Sequence, residues 1–370
     1  MNFGKTIKAS RNSAFELLRI FSILLIIFSH YSIHGVGELD YSIFGFNNIF
    51  FSCIRLGDIG TTLFILISGF FLIKSNSVKL QKLLKLLFEL FFYLIVSYAI
   101  SLLLKIEVFS FESFIKVFFG LFYGKNWFIC CYVLLYLFHP FINKMLMTIT
   151  KKELDIFIFI LLLLWFLVPT FLFAPNQFSN LLSVFNIYCI GAFIGIAFEK
   201  KYYIKLFSIK CSLISLAVCL TAMISSTVIF CFLASREIIG ANIVTHFLER
   251  NSIFVLCTCV SILVLTMHIK PFKLRFINVI ASTSLGIYLI HDNENMRSFY
   301  WDNLFKVKDY LSSNLYVLHF FATCLIIFAS CCIIDLIRQY CVELPIFKLP
   351  FLKEKTLYSV NGNDEEQKTV

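Results

Sequence analysis

Arg11 to Tyr31 reads RNSAFELLRIFSILLIIFSHY, an apolar stretch that carries Arg11, Glu16, Arg19 and His30 on its edges. About 20 predominantly apolar residues suffice to cross a bilayer as a helix. An ionisable side chain inside such a helix costs roughly 2 to 4 kcal/mol on insertion scales, so it faces the protein interior and marks function by default. Arg19 and His30 are eleven residues apart, close to three helical turns, which puts both on nearly one face about 16 Å apart along the axis. Glu16 precedes Arg19 by one turn on that face. The stretch therefore predicts a membrane helix with an ion pair near one surface and a titratable imidazole deep inside. The plainer alternative is a histidine hydrogen-bonded to a neighbouring helix.

Composition extends that reading to the whole chain. Of 370 residues, 59% are hydrophobic and 15% charged, and the mean hydropathy is +0.87; soluble domains carry about 25% charged residues. The 46 phenylalanines and 16 tyrosines suit lipid-facing and interfacial positions. The net charge of +10 is scattered at helix ends and forms no long stripe, so membrane topology accounts for it and nucleic acid does not. Most of the 13 cysteines sit in apolar runs as small core residues, and none has zinc-ligand spacing, so no metal is expected.

Runs of roughly 17 to 25 apolar residues occur near 14–34, 57–73, 84–104, 127–147, 154–173, 181–199, 209–233, 251–268, 278–296 and 314–338. The fold class expected is all-α, a polytopic integral membrane helix bundle of about ten transmembrane helices. The first span is too long for a signal peptide and lacks a cleavage site, so it is expected to stay. With the N-terminus inside, 23 of the 32 Lys and Arg fall on the cytoplasmic side, which satisfies the positive-inside rule with both termini cytoplasmic. The loop from His34 to Leu56 reads as irregular, and the aromatic segment 107–123 as interfacial or re-entrant. Residues 1–350 form the transmembrane domain and 351–370 a short cytoplasmic, disordered tail.

Several groups in these spans can carry chemistry. A neutral imidazole at His30 can accept a proton near physiological pH. Arg11 and Arg19 lie toward the cytoplasmic end, where guanidinium groups can grip phosphate by paired hydrogen bonds; the competing role of both is a topological anchor, and Glu16 can orient Arg19. Lys82 and Lys85 offer point charges at the start of the third span, although Lys85 and Glu89 are also placed as an i, i+4 pair. Asp58 can bind an acceptor or cap the helix that follows it. His291, Asp292 and Asn293 cluster at the end of the ninth span, with Arg297 and Trp301 one and two turns beyond.

Five landmarks occur in order: the Arg11–Tyr31 pattern R-x4-ELLR followed eleven residues later by HY, GDIGTTLFILISGFFLIK at 57–74, NWFICCYVLLYLFHPFIN at 126–143, LGIYLIHDN at 285–293 and VELPIFK at 342–348. Together they resemble acyltransferase family 3, membrane enzymes that transfer acyl groups, commonly acetyl, onto sugars of bacterial surface polysaccharides. The resemblance implies a bacterial inner-membrane O-acyltransferase that uses acyl-coenzyme A as co-substrate, with no bound cofactor, and a hydroxyl of a surface glycan or lipid-linked sugar as acceptor. His30 and Glu16 would form the catalytic set, Arg11, Arg19, Lys82 and Lys85 the donor site, and Asp58, His291, Asp292, Asn293 and Arg297 the acceptor site. Two departures stand out. Relatives often have a second histidine where this chain has Ser29, and an arginine pair where it has Lys79, Lys82 and Lys85. An exporter or flippase of a glycan or lipid is the alternative, but it needs a continuous polar route, and residues 154–233 offer almost no charge for one.

Overall fold

The computed structural model describes residues 12–120, 126–173, 179–349 and 355–360. In chain order the helices are α1 Ser13–His30, α2 Phe46–Cys53, α3 Gly57–Leu72, α4 Leu80–Leu103, α5 Phe111–Phe118, α6 Trp127–Thr148, α7 Lys151–Leu162, α8 Val168–Leu172, α9 Asn180–Glu199, α10 Ile209–Ser235, α11 Ile253–His268, α12 Arg275–Ala281, α13 Ser284–His291, α14 Tyr316–Arg338 and α15 Leu344–Phe347. Among the described residues, nine helical runs are long and apolar enough to cross a membrane. The protein is an all-α polytopic membrane protein. Side chains such as Leu213, Val218 and Ile224 of α10 stay more than half exposed, which in water would be a liability and in lipid is a solvated face.

Helix starts follow local chemistry. Asn12 accepts from the Ala14 amide at 3.2 Å, Ser179 and Ser208 cap α9 and α10, and Thr150 with Glu153 forms a reciprocal capping box, each satisfying amides that have no partner inside the helix.

Three expectations are corrected. The span expected at 278–296 is two short helices, α12 and α13. The hydroxyls of Ser282, Thr283 and Ser284 bond back to the carbonyls of Val279, Ile280 and Ala281 at 2.7, 2.7 and 2.9 Å, and such bonds compete with the helical ladder. The loop from His34 to Leu56 contains α2 as well as irregular chain. Part of the expected tail is a strand: β2, Thr356–Ser359, pairs antiparallel with β1, Ser77–Lys79. The aromatic segment 107–123 contains the eight-residue α5, about 12 Å long, which is too short to span.

The chain divides into two compact units. One comprises the described residues up to 64, 205–292 and 297–336. There α1 packs on α12 and α13, and α10 lies along α11. Gly57 lets α3 approach α1, since a Cβ on it would meet the Ser29 Cβ at 2.8 Å. The other unit comprises 65–204, 293–296 and the chain from 337 onward. There α6 packs on α9, and Gly191 of α9 sits against α3 so closely that a Cβ would lie 2.9 Å from the Leu66 Cα. The Asn143 amide donates to the carbonyls of Leu72 and Ser75 at 2.6 and 2.8 Å and accepts from the Tyr188 hydroxyl at 2.8 Å. A fully buried amide is thereby satisfied.

Candidate active site

The first unit holds the site. α1 ends at His30 and the chain continues as a π-helical turn, Tyr31–Val36, closed by Gly37 at φ 84. Widened turns of this kind recur at functional positions because they re-aim side chains. Here the turn brings the rings of His30 and His34 to 5.0 Å.

Neighbours fix the turn. Tyr31 is fully buried and meets the Trp301 ring edge-on at 5.9 Å. His319 Nε2 lies 3.0 Å from the Phe305 carbonyl, which can only accept, so Nδ1 is left to accept from the Tyr31 hydroxyl at 2.8 Å. Gly35 packs on the buried Val307, where a Cβ would lie 3.0 Å from its methyl. The residue after the imidazole is therefore anchored by packing and by a hydrogen bond.

Facing His30 is the end of α13. His30 Nδ1 lies 3.0 Å from His291 Nε2 and 3.8 Å from Asp292 Oδ1. His34 Nε2 is 3.4 Å from the same oxygen, and Arg297 donates to it at 2.7 Å. His291 Nδ1 lies 2.6 Å from the Ile287 carbonyl. The Asp292 side chain is 8% exposed and that of His30 16%, so the carboxylate is enclosed and the imidazole keeps a partly exposed edge. The arrangement can take up a proton at His30 and face the resulting charge with a carboxylate. His30, His34 and Asp292 also offer ligand atoms within 4.8 Å of one another, close enough for one cation. The Arg297 guanidinium on the same oxygen would compete with such an ion.

The structure thus brings His30, His291, Asp292 and Arg297 together and adds His34, which the sequence reading passed over as the start of a loop. The i, i+4 spacing of the two histidines was the available signal. The remaining assignments fall elsewhere. Glu16 and Arg19 pair at 2.6 Å near the opposite end of α1. Arg11 lies outside the described residues. Asp58 is in the first turn of α3, and its carboxylate is held by the Arg250 amide at 3.0 Å and by the Arg250 guanidinium at 3.1 and 3.0 Å; this ion pair replaces the expected cap. Asn293 belongs to the second unit and accepts from the Asn295 amide at 3.1 Å, a local turn.

Lys82 and Lys85 also lie in the second unit. The Lys82 ammonium is over the Tyr136 ring at 5.8 Å. Lys85 pairs with Glu343 at 3.1 Å, which replaces the expected pair with Glu89. Glu89 instead faces Arg338 at 3.0 Å, and Arg338 also holds Glu343 at 2.7 Å. The Arg338 side chain is only 2% exposed. Hydropathy alone does not reveal the buried network around this arginine.

The site sets the imidazole at the end of the first helix beside an enclosed carboxylate at the end of α13 in a polytopic helical protein. The family model described as an acyltransferase domain, that of acyltransferase family 3, matches residues 12–336, and the chain belongs to that family. No curated protein and no solved structure matches it.

Proposed function

We propose that the protein transfers an acyl group, acetyl in the first instance, from cytoplasmic acyl-coenzyme A to a hydroxyl of a surface polysaccharide or of its lipid-linked sugar precursor. It would do so in the inner membrane of a bacterium with both termini in the cytoplasm, as the distribution of Lys and Arg favours. The observation that carries the reading is His30 held 3.8 Å from the enclosed Asp292 carboxylate in a chain of an acyltransferase family.

In the transfer, the acceptor hydroxyl oxygen attacks the thioester carbonyl carbon while His30 removes the hydroxyl proton. The C–O bond forms, the C–S bond breaks, and the proton passes from His30 to the departing thiolate sulfur. Ester and free thiol leave together, and the base is regenerated. The carboxylate of Asp292 faces the transient imidazolium, and Arg297 fixes that carboxylate. Arg19, oriented by Glu16, and Arg11 would hold donor phosphates; Lys85 and Asp58 are engaged in ion pairs with Glu343 and Arg250.

The test is transfer from labelled acetyl-coenzyme A by purified protein in liposomes, together with mass spectrometry of surface glycans from cells with and without the protein. His30→Gln keeps size and hydrogen bonding but cannot act as a base, and a general base contributes on the order of 100-fold or more. Transfer by His30→Gln within a few-fold of wild type removes His30 from the mechanism. Unchanged glycan acylation removes the proposed acceptor class.

A further inference from the structure

The geometry points to His291 as a positioning residue that selects the tautomer of His30, so that Nε2 is the nitrogen that meets the acceptor. This rests on the general-base reading above. It also moves His291 from the acceptor site, where the sequence placed it, to a place behind the base.

The inference follows from a chain of hydrogen bonds with one fixed end. The Ile287 carbonyl, 2.6 Å from His291 Nδ1, has lone pairs and no proton, so Nδ1 carries the hydrogen and donates. A neutral imidazole has one N–H and one lone pair. Nε2 of His291 is then an acceptor, and the atom 3.0 Å from it, His30 Nδ1, must donate. That spends the single N–H of neutral His30 on the side facing α13. The lone pair is left on Nε2, the nitrogen that no partner among the described residues takes.

The direction originates in the backbone of α13. Ile287 and His291 are a helical turn apart, and His291 is 2% exposed, so water does not compete for either ring nitrogen. Asp292 would be the obvious orienting group, as a carboxylate often is for a catalytic histidine. Its Oδ1 lies 3.8 Å from His30 Nδ1, beyond hydrogen-bond range, and is already bound by Arg297 at 2.7 Å. Orientation and charge compensation are therefore divided: His291 sets which nitrogen is free, and Asp292 faces the charge that forms. During proton uptake at Nε2, the Nδ1–H bond to His291 stays intact, so the ring need not rotate between accepting the proton and delivering it.

The experiment reads the tautomer directly and needs no substrate. The full-length protein is labelled with 15N-histidine, reconstituted in nanodiscs, and the His30 ring assigned by comparison with His30→Gln. The expected spectrum shows His30 protonated at Nδ1 and bare at Nε2. Two variants separate positioning from packing. The Gln side-chain oxygen reaches the position of His291 Nε2 and can still accept, whereas Met fills the space and cannot. His291→Gln is expected to keep the wild-type tautomer and transfer within a few-fold. His291→Met is expected to lose the tautomer preference and about 10- to 100-fold in kcat, the usual size of an orienting-partner effect, with little change in KM.

A wild-type spectrum with His30 protonated at Nε2 overturns the inference, as do equal losses in the Gln and Met variants or no loss in Met. Should neither variant fold, the wild-type spectrum decides. Because that spectrum is recorded without donor or acceptor, it stands or falls independently of the acyl-transfer proposal.

Discussion

Replacing Asp292 by Asn isolates the electrostatic part of the site. The asparagine keeps an oxygen for Arg297 and nearly the same volume, so packing around the end of α13 is retained while one negative charge disappears. Asp292 Oδ1 lies 3.8 Å from His30 Nδ1. A unit charge pair at that separation in an effective dielectric of about 20 is worth roughly 4 kcal/mol. The imidazolium charge is spread over the ring, and the carboxylate is shared with Arg297 at 2.7 Å, so about half of that, ~2 kcal/mol, is available to the transition state. Each 1.36 kcal/mol is about tenfold in rate, which gives a loss in kcat of roughly 30-fold. The donor KM should hardly move, because the charge it opposes exists only while the proton is on His30. The assay is steady-state transfer from labelled acetyl-coenzyme A by purified Asp292→Asn protein, with thermal unfolding in the same detergent to verify the fold. A folded variant whose kcat stays within threefold of wild type would refute the assignment of Asp292 as counter-charge.

Arg19→Lys keeps charge but loses the fork that pairs with Glu16 and phosphate; the donor KM is expected to rise about tenfold or more, one charge-assisted hydrogen bond's worth, and an unchanged donor saturation curve returns Arg19 to the role of anchor. Arg338→Met removes the cation that Glu89 and Glu343 both face, and breaking such a buried network costs about 3 to 5 kcal/mol; an unchanged unfolding midpoint of the purified variant would contradict it. Gly191→Ala forces a methyl onto the Leu66 backbone, which cannot swing aside as a side chain can, and should cost about 1 to 3 kcal/mol in the same measurement. Exhaustive chelation should leave transfer unchanged, since Arg297 occupies the Asp292 oxygen that a cation would need; loss of activity restored by one divalent metal would show the His30, His34 and Asp292 atoms acting as ligands.

The long helices were legible because their cause is local. A run of apolar residues that must satisfy its own backbone in lipid has no choice but helix, and α1, α4, α6, α9, α10 and α11 lie close to where hydropathy puts them. The break at 282–284 was written in three consecutive hydroxyl residues, yet their apolar flanks read as one span. Hydropathy averages over such a triplet, whereas back-bonding to individual carbonyls does not. The pairing of Ser77–Lys79 with Thr356–Ser359 had no local signature, since strands this short are set by their partner and not by their own sequence.

The sequence by itself determined that the chain is a polytopic helical membrane protein, that it carries the family's landmarks, and that His30 and the LIHDN segment bear ionisable groups in or at the end of apolar spans. Only the tertiary structure decided how those groups are arranged around one another. His30 and His291 are 261 residues apart, and nothing in either helix specifies that their ring nitrogens meet, that His34 joins them, or that Asp292 answers to Arg297. The reason is that burial in lipid and burial in protein look alike in an apolar sequence. Which faces turn toward each other is settled by small residues such as Gly57 and by polar groups seeking partners across helices. The long-range ion pairs Asp58 with Arg250 and Lys85 with Glu343 were for the same reason invisible in the sequence, where only neighbours three or four positions away can be paired with a physical argument.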